Sequence, residues 1–195
     1  MGMRLELMRI SSDDLAMLKR GTETTRRFIE ANLPVIDRGP DYARAVEEMR
    51  VKLGLPPAAA AGTFSPYPFN DVFNVDKMWN GLYFLLTGSE DAGEGPATCL
   101  LNSPPVNDEE IGYGPAMVIS PDNTRALGTY LAALDRSEVL ASFNGAKMME
   151  LQIYPGVWDE DAEELTEELG DAFDALRAYC CKCADHGLGM LSYVT

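Results

Sequence analysis

The sequence predicts an α+β protein: a small mixed sheet built from N-terminal, central and C-terminal strands, covered by several helices. Three observations lead to this. Residues 3–10 begin as an alternating segment, with Met3, Leu5 and Leu7 on one side and Arg4 and Glu6 on the other. Residues 115–119 and 190–194 are short apolar runs that suit buried strands. Between them lie segments of helical period, and they do not alternate with strands as a doubly wound sheet requires.

The chain has 195 residues, 46% hydrophobic and 24% charged, which suits a single globular domain over 1–195. After the first strand, Ser11 or Ser12 is expected to cap a helix running to Arg20, with Asp14 in a capping-box position and Gly21 as the stop. A second helix is expected over 23–31 and a third over 41–53, the latter after the Arg38-Gly39-Pro40 turn. Residues 55–70 hold four prolines, which exclude regular structure, and three rings, Phe64, Tyr67 and Phe69, which favour burial. Asp76 is expected to cap a helix over 77–86 that stops at Gly88, with Trp79, Leu82, Tyr83 and Leu86 on one face. Residues 88–112, rich in Gly, Pro and acids, read as an irregular excursion.

Ser120-Pro121 then marks a helix start, Ser as cap and Pro at the first turn, with the helix running to about Leu134. Another begins near Asp135 and breaks near Asn144-Gly145 on the way to Leu151. The last helix is long, from about Glu160 to His186. Leu165, Leu169, Phe173, Leu176, Cys180 and Cys183 form its apolar face. Its N-terminal half carries nine acids and no base between Asp159 and Asp174, the sign the helix dipole favours there.

The formal charge is -15. Residues 1–53 are near neutral, with ten basic and nine acidic side chains, so the excess lies in the remainder, with six and 22. That field excludes nucleic acid and anionic membranes, which need a basic footprint, and attracts basic proteins. No run reaches the roughly 18 apolar residues of a membrane span, and the N-terminus lacks the apolar stretch of a signal peptide. Gly2 lacks the Ser or Thr that myristoylation requires at position 6, where Glu6 stands. A cytoplasmic location is expected. Three of four cysteines sit within four positions, Cys180, Cys181 and Cys183, which does not suit a disulfide scaffold.

Several motifs now fall in order: the opening Met1-Gly2-Met3, Asp76-Lys77-x-Trp79-x-x-Leu82-Tyr83-Phe84-Leu85-Leu86-Thr87-Gly88, Tyr113-Gly114-Pro115-Ala116, and Ile153-Tyr154-Pro155-x-x-Trp158. Together they resemble the YfbM-like family, a bacterial group filed as a domain of unknown function. The resemblance covers most of the chain and is weakest at about 22–70, which look expanded. It implies an α+β fold and no reaction. Members often carry histidines in the tryptophan helix, where Asn80 and Tyr83 stand here; any chemistry resting on those histidines is lost.

Candidate chemistry is sparse. Cys180-Cys181-x-Cys183-x-x-His186 has soft ligands, yet only Cys99 could complete a four-ligand zinc site, and the cysteines lie on a helix face where they pack as small hydrophobes. His186, the one histidine, falls in the last helical turn, where it complements free carbonyls. No phosphate-binding glycine motif, nucleophile elbow or H-E-x-x-H occurs. No catalytic residue, metal or cofactor is assigned.

Two readings of function follow. In the first, the chain is a non-catalytic interaction protein, inhibitor-like or immunity-like. Its acidic helix, with Asp159, Glu160, Glu163, Glu164, Glu167, Glu168 and Asp171, faces a basic protein partner. In the second, it is a small-molecule binder or enzyme. Its cleft is lined by Trp79, Tyr83, Tyr113, Tyr154 and Trp158, with Asp76, Lys77 and Glu150 at the rim.

Overall fold

The computed structural model describes residues 2–21, 24–33 and 72–195. The helix expected over 41–53 and the proline-rich segment over 55–70 lie outside these residues. Among the described residues, five strands make one sheet: β1 (Leu5–Ile10), β2 (Phe73–Val75), β3 (Pro105–Gly112), β4 (Gly114–Ile119) and β5 (Gly189–Val194). Their order is β2-β1-β5-β4-β3, and every pairing is antiparallel. The terminal strands meet at the centre, with Leu5 opposite Val194 and Ile10 opposite Gly189. The fold is α+β.

Helices cover both faces. On one lie α1 (Ser12–Lys19) and α2 (Thr25–Asn32). On the other lie α3 (Trp79–Thr87), α4 (Pro121–Ala133), α5 (Arg136–Ala141), α6 (Gly145–Glu150) and α7 (Ala162–Asp185). Leu5 and Leu7 of β1 join the larger core with α3, α4 and α7. Met8 and Ile10 join a second core with Leu18, Phe28 and Ile29. Hence β1 is buried on both faces from Leu7 onward, not on one as its first residues suggest. An interior strand between two helical layers has no solvent side.

Local signals placed most helix ends. The Ser11 hydroxyl accepts from the Asp14 amide, Thr24 accepts from Arg27 and Ser120 from Asn123. Gly88 closes α3 in the left-handed conformation, φ 72°. Two expectations are corrected. Asp76 does not cap α3. The helix starts at Trp79 with Met78 before it, no side chain caps it, and Asp76 pairs instead with Arg4 at 3.1 Å. Residues 88–112 are not irregular throughout, since Pro96–Leu100 form a 3₁₀ turn and 105–112 form β3.

Candidate functional site

A concavity lies between β2, the turn after it and α7. Phe73 and Val75 project onto the α7 side of the sheet and, with Met78, Val157, Leu165 and Ala172, make an apolar floor. The volume is about 640 Å³. Six carboxylates stand along it, Asp76, Glu160, Asp161, Glu164, Glu168 and Asp171, against one cation, Lys77. The α7 members recur every three or four residues, which places them on one stripe of the helix. A second hollow of about 420 Å³ shares Phe73, Asn74 and Ala175 and extends to Lys182. The two form a trough along α7.

The charge is balanced internally at the two ends. Arg136 donates to Asp171 at 3.1 Å and to Asp174 at 2.6 Å, and Arg177 donates to Asp174 at 2.6 Å. Asp76 is held by Arg4. Among the described residues, Glu160, Glu164 and Glu168 make no ion pair, so the uncompensated charge sits mid-trough. Asp161 has another duty: its Oδ1 accepts from the amides of Glu163 and Glu164 at 2.9 and 3.3 Å, capping α7. Asp161→Ala should therefore lower the unfolding free energy by about 1 kcal/mol in a urea titration. Asp159, Glu163 and Glu167 are exposed but stand outside the trough.

The aromatic residues separate. Trp79 is buried and packs against half-buried Tyr154, the rings tilted by 31° with centroids 6.1 Å apart, its indole N–H donating to the Met3 carbonyl at 3.2 Å. Trp158 is buried beside Phe143 and donates to the Ile153 carbonyl at 2.7 Å. Tyr83, also buried, donates to the Ala92 carbonyl at 2.5 Å and accepts from Asn102 at 2.9 Å. Tyr113 stands alone, 70% exposed in the β3–β4 turn. Glu150 is exposed at the end of α6. The five rings therefore share no concave surface. Of the eight residues expected around a cleft, Asp76 and Lys77 reach the trough, where they meet the acidic face of α7.

Asn80 and Tyr83 are tied into the fold. Asn80 Oδ1 accepts from the Tyr154 amide at 2.9 Å, and its Nδ2 donates to the Glu90 carbonyl at 2.9 Å. Together with Tyr83 it fixes the loop after α3. Cys180 and Cys183 are fully buried in the larger core, and all four cysteines are free thiols. Among the described residues, no three His, Cys, Asp or Glu side chains are grouped to hold a metal ion. None of the helices there is long and apolar enough to cross a membrane.

Residues 1–193 match the family model described as a domain of unknown function, DUF1877. The chain belongs to this family. Among solved structures it is similar to YfbM from Escherichia coli, described as a protein of unknown function. The likeness has 17% identity and a TM-score of 0.57, and covers 98% of this chain and 99% of that one. At that identity, the similarity to YfbM is one of fold. No curated protein matches.

What the sequence did not reveal is the trough's other wall. Phe73-Asn74-Val75 is a three-residue alternation directly after the proline-rich stretch, and nothing local connects it with acids some 90 positions later.

Proposed function

We propose that this DUF1877 protein is a non-catalytic binding protein whose trough takes a basic segment of a protein partner. The observation that carries the reading is the joining of an apolar floor to uncompensated carboxylates at Glu160, Glu164 and Glu168. Lysine and arginine suit such a surface, since their stems lie on apolar groups while their heads stay among acids and water. Each exposed pair contributes about 0.2–1 kcal/mol, so several act together and salt weakens them. Four free cysteines, three of them in four positions, support a reducing compartment, the cytoplasm.

The test is affinity capture with the immobilised chain at low and high salt, using Glu164→Lys/Glu168→Lys beside Asp159→Lys/Glu163→Lys. Both pairs change net charge equally, but only the first lies in the trough. The first should weaken retention of a basic partner about tenfold, mainly through the association rate, and the second far less. Equal losses would reduce the effect to bulk charge and sink the proposal.

A further inference from the structure

Resting on that reading, we infer that the basic segment binds in extended form, adding a strand to the edge of β2 that faces away from β1. The two edges of the sheet differ. At the β3 edge the pairing slips register twice, and α2 lies against the strand. There Glu109 accepts from the Thr25 amide at 2.6 Å, and Arg26 donates to the Glu110 carbonyl at 2.6 Å. Slips and covering contacts of this kind blunt an edge against further pairing. Among the described residues the β2 edge has neither: β2 pairs with β1 in regular register, and no strand of those residues lies on its other side. That edge runs beside the trough.

The spacings agree. β2 and α7 lie side by side, with Phe73 stacked on Tyr179 at 5.7 Å and Asp76 sharing the trough with Glu160. Every second side chain of an added strand would face α7, about 6.7 Å apart. Glu164 and Glu168 follow one another at about 6 Å along α7, and Glu160 stands just before its N-cap. Basic residues at alternate positions would each meet one carboxylate, with their stems over Phe73, Val75 and Leu165. The intervening side chains would lie on the Asn74 side, which is exposed, so polar residues fit there. The occupant is a basic segment alternating with small polar residues.

The probe is a capped nine-residue peptide alternating Lys and Thr, tested against the full chain by fluorescence anisotropy at low salt. Two analogues carry N-methyl groups, one on every Lys amide and one on every Thr amide. In an extended strand, alternate amides point to opposite edges, so just one series faces β2. One analogue should bind roughly tenfold more weakly than the other, the effect of a few lost backbone hydrogen bonds. Amide hydrogen exchange within residues 73–75 should slow when the parent peptide binds. Equal affinities of the two analogues would overturn strand addition while leaving the acidic trough as the site. A parent peptide that does not bind, or that binds Glu164→Lys/Glu168→Lys as well as the natural chain, would overturn the trough reading and the strand together.

Discussion

Trp158→Ala should lower the unfolding free energy by about 3–5 kcal/mol, the range for removing a fully buried aromatic ring. The indole is 2% exposed, packs edge-on to Phe143 and rests directly on α3. Its place depends on Gly81. A Cβ built at Gly81 would lie 2.2 Å from Trp158 Cη2 and 2.6 Å from Cζ2. In a helix interior alanine ordinarily exceeds glycine by about 1 kcal/mol. Here Gly81→Ala should instead cost about 1–3 kcal/mol, because a rigid, enclosed indole cannot step aside. With Trp158 already replaced by alanine, Gly81→Ala should become neutral or stabilising. A double-mutant cycle by urea unfolding reads the coupling directly. Additive effects would mean that the ring does not determine the glycine.

This pairing explains what the family-like motifs do in the fold. The tryptophan-helix motif and Tyr154-Pro155-x-x-Trp158 are the two halves of one joint. Trp158 lies on Gly81, Tyr154 packs against Trp79, and Asn80 accepts from the Tyr154 amide. The sequence shows which rings stand in these motifs, but periodicity says nothing about where each ring points. A shared cleft and a shared core joint therefore look alike in one dimension. Caps and stops were legible because each is local: Ser11, Ser120 and Gly88 act within a turn of themselves. β3 was not legible, since its centre is Asn-Asp-Glu-Glu and Val106 is its one buried residue. An edge strand with such a polar surface carries little of the alternation that reveals inner strands. The acidic face of α7 was visible, but its opposite wall came from a distant strand. Composition therefore pointed to a basic partner without showing the channel that would orient it.

Above pH 9 the protein should lose stability steeply. Burial pushes the Cys99 thiol from 9.0 up to about 12. Burial also raises Cys180 well above the ordinary thiol value, with Cys183, Cys99 and Cys181 close enough to add to the effect. Tyr193 is raised by burial, with Glu6 beside it contributing in the same direction. Below pH 9 the thiols are protonated in both folded and unfolded chains, so their stabilising contribution is fully present. As pH rises beyond that, the unfolded chain releases protons that the folded core retains, and the equilibrium moves toward unfolding. Each such group lowers the free energy by about 1.4 kcal/mol per pH unit inside its window, so Cys99 alone accounts for roughly 4 kcal/mol between pH 9 and 12. Urea titrations under reducing conditions from pH 8 to 11 measure it. The natural chain should fall with a slope of more than one proton, and Cys99→Ala/Cys180→Ala, though less stable at pH 8, should fall less steeply. A flat profile in the natural chain would mean that these thiols reach water in the folded state. The chemistry of Cys180-Cys181-x-Cys183 would then be open to metals and oxidants instead of being held in the core by its own desolvation.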